Sequence, residues 1–154
     1  MSYKIPISVL VVVHTTELDV LLLERAGRPG FWQSVTGSLD RTDEPLECAA
    51  AREVLEETGI SAEAGKLVRW NVVNTFEIYG QWRSRFAPGV MHNTEHVFGL
   101  ELARRMPVTI APDEHLAYVW LPWKEAAEHC FSWSNRDAIR MLGEHAVVTY
   151  DKVR

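Results

Sequence analysis

The sequence predicts a mixed α/β or α+β domain, and three observations carry that expectation. Apolar runs of strand length outnumber helical patterns. The helical patterns fall mid-chain and at the C-terminal end instead of alternating with every strand. Hydrophobic residues make up 47% of the 154 positions, enough for a substantial core in one domain spanning residues 1–154.

Residues 5–14 (IPISVLVVVH) are apolar, β-branched and continuous, as a central strand covered on both faces requires. Residues 15–19 form a polar turn, and 20–24 (VLLLE) a second strand. Residues 25–30 (RAGRPG) are a basic loop broken by Gly and Pro. A short strand, 31–35, then delivers the chain to Gly37, and residues 45–58 read as a helix. Beyond it, 66–78 and 82–86 are strand candidates joined by a Tyr79-Gly80 turn, and 94–102 is another strand. Residues 104–113 hold two prolines and form a loop before a last strand at 116–120. Residues 122–129 open on a proline, which suits a first helical turn. Ser132 or Ser134 is placed to cap a final helix through Leu142. The segment 147–154 carries no functional reading.

The formal net charge of −5 argues against nucleic-acid or anionic-membrane partners, which need a basic field. The apolar run at 5–13 is too short to span a bilayer. With only Lys4 ahead of it and no small-residue cleavage site behind, it does not read as a secretory signal, so a cytoplasmic protein is expected. Cys48 and Cys130 lack metal-site spacing and are expected as free, buried thiols.

The chemistry concentrates in residues 37–60, GSLDRTDEPLECAAAREVLEETGI, where Glu53, Glu56 and Glu57 crowd one helical face. Such a face repels itself unless cations sit among the carboxylates, and carboxylate oxygens suit Mg²⁺ or Mn²⁺. An acidic helix face is ordinarily a solvated surface; here the spacing argues otherwise. Glu44, followed by Arg52-Glu53-Val54-x-Glu56-Glu57-x-Gly59-Ile60, resembles the signature of the Nudix hydrolases. In that family a glycine, a glutamate, REUxEE (U apolar) and a glycine form a loop–helix–loop that binds metal and cleaves a diphosphate linkage. The family pattern leaves five residues between its first Gly and first Glu, whereas Gly37 to Glu44 leaves six. Either the loop carries an extra residue or Asp43 takes the glutamate position. Loops absorb insertions more readily than helices, so the loop insertion is preferred.

The resemblance implies an α/β/α sandwich, a mixed sheet lying between the box helix and a C-terminal helix. It implies Glu53 and Glu57 as metal ligands, with Glu56 a third ligand or a group behind them. Arg52 is expected to orient a box glutamate. Gly37 and Gly59 are expected to serve the backbone through a close approach and a left-handed helix end.

Outside the box, FWQSVTGS (31–38), RFAPGVMHNTEH (85–96), EHLAYVWL (114–121) and FSWSNRDAI (131–139) are similar to the dihydroneopterin triphosphate pyrophosphatases of folate biosynthesis. The likeness runs from about residue 5 to 142 and implies a Mg²⁺-dependent enzyme, Mn²⁺ being a possible substitute. It would convert 7,8-dihydroneopterin triphosphate to the monophosphate and pyrophosphate. It also implies that Glu114 completes the metal site or serves as general base. Glu95 is a weaker candidate for the same cleft. The box alone would equally serve a hydrolase of oxidised nucleoside triphosphates or dinucleoside polyphosphates. A catalytically silent binding module is disfavoured by the full set of Arg52, Glu53, Glu56 and Glu57.

A small-molecule triphosphate needs donors, and Arg25, Arg28, Arg83 and Arg85 are available; the last two would share a face of the expected strand. A pterin ring wants an apolar slot with a few polar partners. Phe31, Trp32, Gln33, Trp133, Ser134 and Asn135 are the candidates, Trp32 ahead of Trp133. Monomer and homodimer both remain open.

Overall fold

A run of valines and leucines with no polar alternate belongs in the middle of a layered structure, and there β1 (Ile7–Thr15) lies. The computed structural model describes residues 2–153, and for 144–153 the backbone alone. Six further strands complete a seven-stranded mixed sheet: β2 (Asp19–Arg25), β3 (Trp32–Gln33), β4 (Val35–Ser38), β5 (Lys66–Glu77), β6 (His92–Leu102) and β7 (His115–Pro122). β1 runs parallel to β6 and antiparallel to β2 and β4. β5 flanks β6 on the outside, and β3 and β7 both pair with β2.

Because alternate residues of a strand point to opposite faces, β1 builds two cores at once. Val9, Val11 and Val13 pack with Ala49, Ala50 and Val54 of α1 (Leu46–Thr58). Leu10 and Val12 pack with Ala126 and Ala127 of α2 (Trp123–His129) and with Ala138, Ile139 and Leu142 of α3 (Trp133–Val153). This is the expected sandwich, with α1 on one face of the sheet and α2 and α3 on the other.

Several local expectations give way. The strand foreseen at 31–35 is two short strands interrupted at Ser34. The Ser34 N–H donates to Asn135 Oδ1 at 2.7 Å, and Asn135 Nδ2 donates to Ser34 Oγ at 2.9 Å. Residues 82–86 are not a strand. The β5–β6 ladder closes at Glu77↔His92, leaving the intervening residues as the connection, and Gly80–Arg85 coils into a 3₁₀ helix. Arg83 and Arg85 therefore share no strand face. Ser132 caps the last helix, its Oγ accepting from Asn135 N at 3.2 Å, and that helix runs past Leu142. Cys130 is buried as expected, but Cys48 is exposed, since α1 turns Ala49, Ala50, Glu53, Val54 and Glu57 inward. The segment 147–154 falls outside the residues whose side chains are described. No helix among the described residues is long and apolar enough to cross a membrane.

Candidate active site

α1 presents its acids from a fixed frame. Its C-terminus closes on Gly59 at φ 74°, whose N–H bonds back to Leu55 O at 2.9 Å. That left-handed conformation costs glycine nothing and any side chain something. One residue earlier, Thr58 Oγ donates to Val54 O at 2.6 Å and accepts from Ile60 N at 3.0 Å. At the other approach, β4 passes so close to Glu53 that a Cβ on Gly37 would lie 2.1 Å from the Glu53 carboxyl carbon. Any side chain at position 37 would thus displace the Glu53 carboxylate.

Arg52 ties the acids to the preceding loop. Its Nε donates to Glu44 Oε2 at 3.0 Å and its Nη2 to Glu44 Oε1 at 3.1 Å, a bidentate fork. The same guanidinium reaches Glu53 Oε1 at 2.8 Å, Ser38 O at 3.2 Å and the exposed Glu56 at 3.4 Å. The Arg52 fork holds Glu44 below the usual carboxylate range, and its acids raise Arg52 above its own. This arrangement places the extra residue of the box. Asp43 faces solvent and pairs with Arg41 at 2.9 Å, whereas Glu44 is buried against Arg52. Glu44 and not Asp43 is therefore the acid held by Arg52, as a loop insertion would require.

Glu53 and Glu57 are one helical turn apart and both buried. Burial raises both above the usual carboxylate range, Glu57 the further, and Glu53 and Glu114 add their repulsion at Glu57. Glu57 Oε1 is buried with no hydrogen-bond partner, and its neighbour at 3.6 Å is His115 Nε2, beyond hydrogen-bond reach. Burial, then the Arg25 charge, pushes His115 down to about 4, so a neutral ring faces the acid. A desolvated carboxylate oxygen without a donor costs on the order of 1–3 kcal/mol. A divalent cation between Glu53 and Glu57 would relieve both the orphaned oxygen and the repulsion, so this donor set fits one. Glu56 and Glu114 are turned toward solvent, and among the described residues no three such groups lie at ligand spacing.

Opposite the acids stands a cationic wall. The Arg25 charge acts on Glu57, Glu114 and Arg85; its Nη1 donates to Gln33 Oε1 at 3.2 Å, and its guanidinium lies 4.8 Å from the Trp82 ring. Its Nε is buried without a partner. Lys4, unremarked in the sequence as a site residue, belongs to the same wall. Its N–H bonds to Arg85 O at 2.8 Å. Partial desolvation and the charges of Arg85 and Arg25 lower its ammonium, while Glu53 and Glu114 pull it up. No periodicity marks Lys4; only the isolated pairing of Lys4 with Phe86 brings it here. Arg83 is instead engaged with Glu77 and with Ile78 O, away from this wall.

The ring candidates divide. Phe31 stacks on Phe131 with centroids 4.7 Å apart beneath Arg28, and Trp82 meets Phe131 edge-on at 6.3 Å. Trp32 packs into the α2/α3 core, while Trp133 is exposed at the start of α3. Asn135 spends both ends of its amide on Ser34, which makes it a structural tie. Ser134 is buried and turned toward Glu95.

Residues 4–142 match the NUDIX domain family. The dihydroneopterin triphosphate diphosphatase of Escherichia coli is 45% identical over 143 residues, covering 91% of this chain and 93% of that protein. The Haemophilus influenzae protein of the same name is 38% identical, covering 91% and 89%. The structure of the E. coli dihydroneopterin triphosphate pyrophosphohydrolase superposes with a TM-score of 0.84 at 44% identity, over 92% of this chain and 97% of that one. A Caenorhabditis elegans Ap4A hydrolase shares the fold at 19% identity and a TM-score of 0.67. With its box helix, mixed sheet and paired buried glutamates in place, the chain belongs to the Nudix family of hydrolases.

Proposed function

We propose that this Nudix pyrophosphohydrolase, a single cytoplasmic domain, converts dihydroneopterin triphosphate to the monophosphate and pyrophosphate. The observation that carries the reading is the buried Glu53–Glu57 pair with its unpartnered oxygen, under the charge of Arg25, in a chain 45% identical to a dihydroneopterin triphosphate diphosphatase. The Nudix family depends on divalent metal ions; in this chain Mg²⁺ is the expected ion, with Mn²⁺ able to replace it. When bound, such an ion supplies charge for the non-bridging phosphate oxygens and an acidified water. Glu53 and Glu57 would hold it, with Glu114 reaching in from the loop before β7 and Glu56 behind the pair. Arg52 fixes Glu53 by its hydrogen bond and is itself fixed by Glu44. Arg25, held by Gln33 and Trp82, presents its fork to the polyphosphate together with Arg85 and Lys4. Trp133, exposed next to Ser134 at the start of α3, borders the place for the ring.

The test is pyrophosphate release from freshly prepared dihydroneopterin triphosphate, with and without Mg²⁺, against dATP and 8-oxo-dGTP at matched concentration. Fast, Mg²⁺-dependent release well above both purines is expected. Equal or faster purine turnover would keep the hydrolase and discard the pterin.

A further inference from the structure

The face of the sheet turned to α3 is apolar along most of its length and then abruptly polar. Ser8 on β1, Glu95 on β6 and Asn74 on β5 are paired across three neighbouring strands, so their side chains stand in one row. Two positions away on the same face, Asn93 lies opposite Phe76. Ser134, in the first turn of α3, closes over this row.

The row is underfilled with donors. Glu95 is only 5% exposed, its Oε1 has no hydrogen-bond partner, and it faces just Ser134 and Asn74. Asn93 Nδ2 donates to Ser8 Oγ at 2.8 Å, and in that orientation its Oδ1 is likewise buried without a partner. A chain seldom leaves such acceptors unmatched side by side. Among the described residues Glu95 meets the Ser134 hydroxyl and the Asn74 amide and no lysine or arginine. The complement of two adjacent acceptors beside the Phe76 ring is a flat heterocycle carrying adjacent N–H donors. Phosphate would be repelled.

We infer that Glu95 is the specificity residue of this enzyme, its carboxylate accepting the N–H donors of an amino-pyrimidinone ring edge, an inference that rests on the substrate reading above. The edge belongs to pterins and guanines and is missing from adenines. Asn93 and Asn74 flank the carboxylate, and Ser134 holds it. Lys4 of the cationic wall precedes Ser8, the β1 neighbour of Glu95, by four residues, at most about 14 Å of chain. One substrate can therefore lie with its ring on the α3 face and its phosphates at α1.

Glu95→Gln preserves shape but turns a donor toward donors. It is expected to lower kcat/KM for dihydroneopterin triphosphate by roughly 10- to 100-fold, chiefly through KM. Binding of inorganic triphosphate, which has no ring, should not change. Asn74→Ala, a milder change in the same row, should show the same selectivity at roughly 3- to 10-fold and covers the case of a Glu95 variant that does not fold. Variants that match wild type on both ligands, or lose both equally while folded, would overturn the inference and leave Glu95 a structural polar knot. A wild-type enzyme that ignores the pterin would overturn the substrate reading and this inference with it.

Discussion

Glu57 and Glu95 are both buried glutamates with an unpartnered oxygen, one on each side of the same sheet. Burial raises both above the usual carboxylate range. Their neighbours differ. Glu57 is crowded by Glu53 and Glu114, so its surroundings add negative charge. Glu95 is lined by a hydroxyl and an amide, which carry none. The same side chain under the same desolvation asks for a cation in one place and for neutral N–H donors in the other. What a buried acid binds is decided by what stands next to it.

The comparison breaks most visibly at Glu57. Glu57→Gln should cost at least ~100-fold in kcat with the fold retained, because it removes a proposed direct ligand where even groups behind a ligand cost 10–100-fold. Steady-state kinetics beside a circular dichroism spectrum checks this. Gly37→Ala should come next. Its Cβ drives Glu53 out of place, since 2.1 Å is no contact distance. Activity should fall by about 10-fold or more while stability changes by less than about 1 kcal/mol, since only the end of the Glu53 side chain has to move, read from kinetics and chemical denaturation.

The acid pair should also write itself into the pH dependence of the metal-free protein. Glu53 and Glu57 have folded pKa values raised above the unfolded ones. Their contribution to stability is then full below the ordinary glutamate value and is lost as pH rises through their raised values. Melting temperature without metal should fall across that window, and Mg²⁺ should restore it by binding the ionised pair. Glu57→Gln should flatten the decline.

The smallest effect sharpens the box itself. Asp43→Ala, at an exposed turn, should stay within about 0.5 kcal/mol of wild type. Glu44→Ala strips Arg52 of its fork and should cost roughly 1–3 kcal/mol by denaturant titration.

The box was legible because its function demands fixed residues at fixed spacings along one helix, where one-dimensional distance converts directly into three. Thus Glu53, Glu57, Arg52 and Gly59 could be placed before any coordinates, and so could the two faces of β1. The sandwich, the family and the enzyme class followed from the same residues. Elements held by long-range contacts were not legible. Residues 82–86 carry strand-like aromatics, yet the ladder that would pair them closes at Glu77↔His92. Cys48 sits among alanines but on the outward face of α1, a rotation that the neighbouring residues alone leave ambiguous. Lys4 comes beside Arg85 through one backbone bond to a residue about eighty positions away. Asn74 left a faint trace, a polar residue at an inward position of a strand, which gains meaning only when Glu95 is seen beside it.

The most direct measurement is Mn²⁺ titration followed by loss of the free-ion EPR signal, on wild type, Glu57→Gln and Glu95→Gln. Mn²⁺ binding should weaken sharply in Glu57→Gln and stay unchanged in Glu95→Gln. Unimpaired binding in Glu57→Gln, or loss of binding in Glu95→Gln, would contradict the division of labour between the two buried acids.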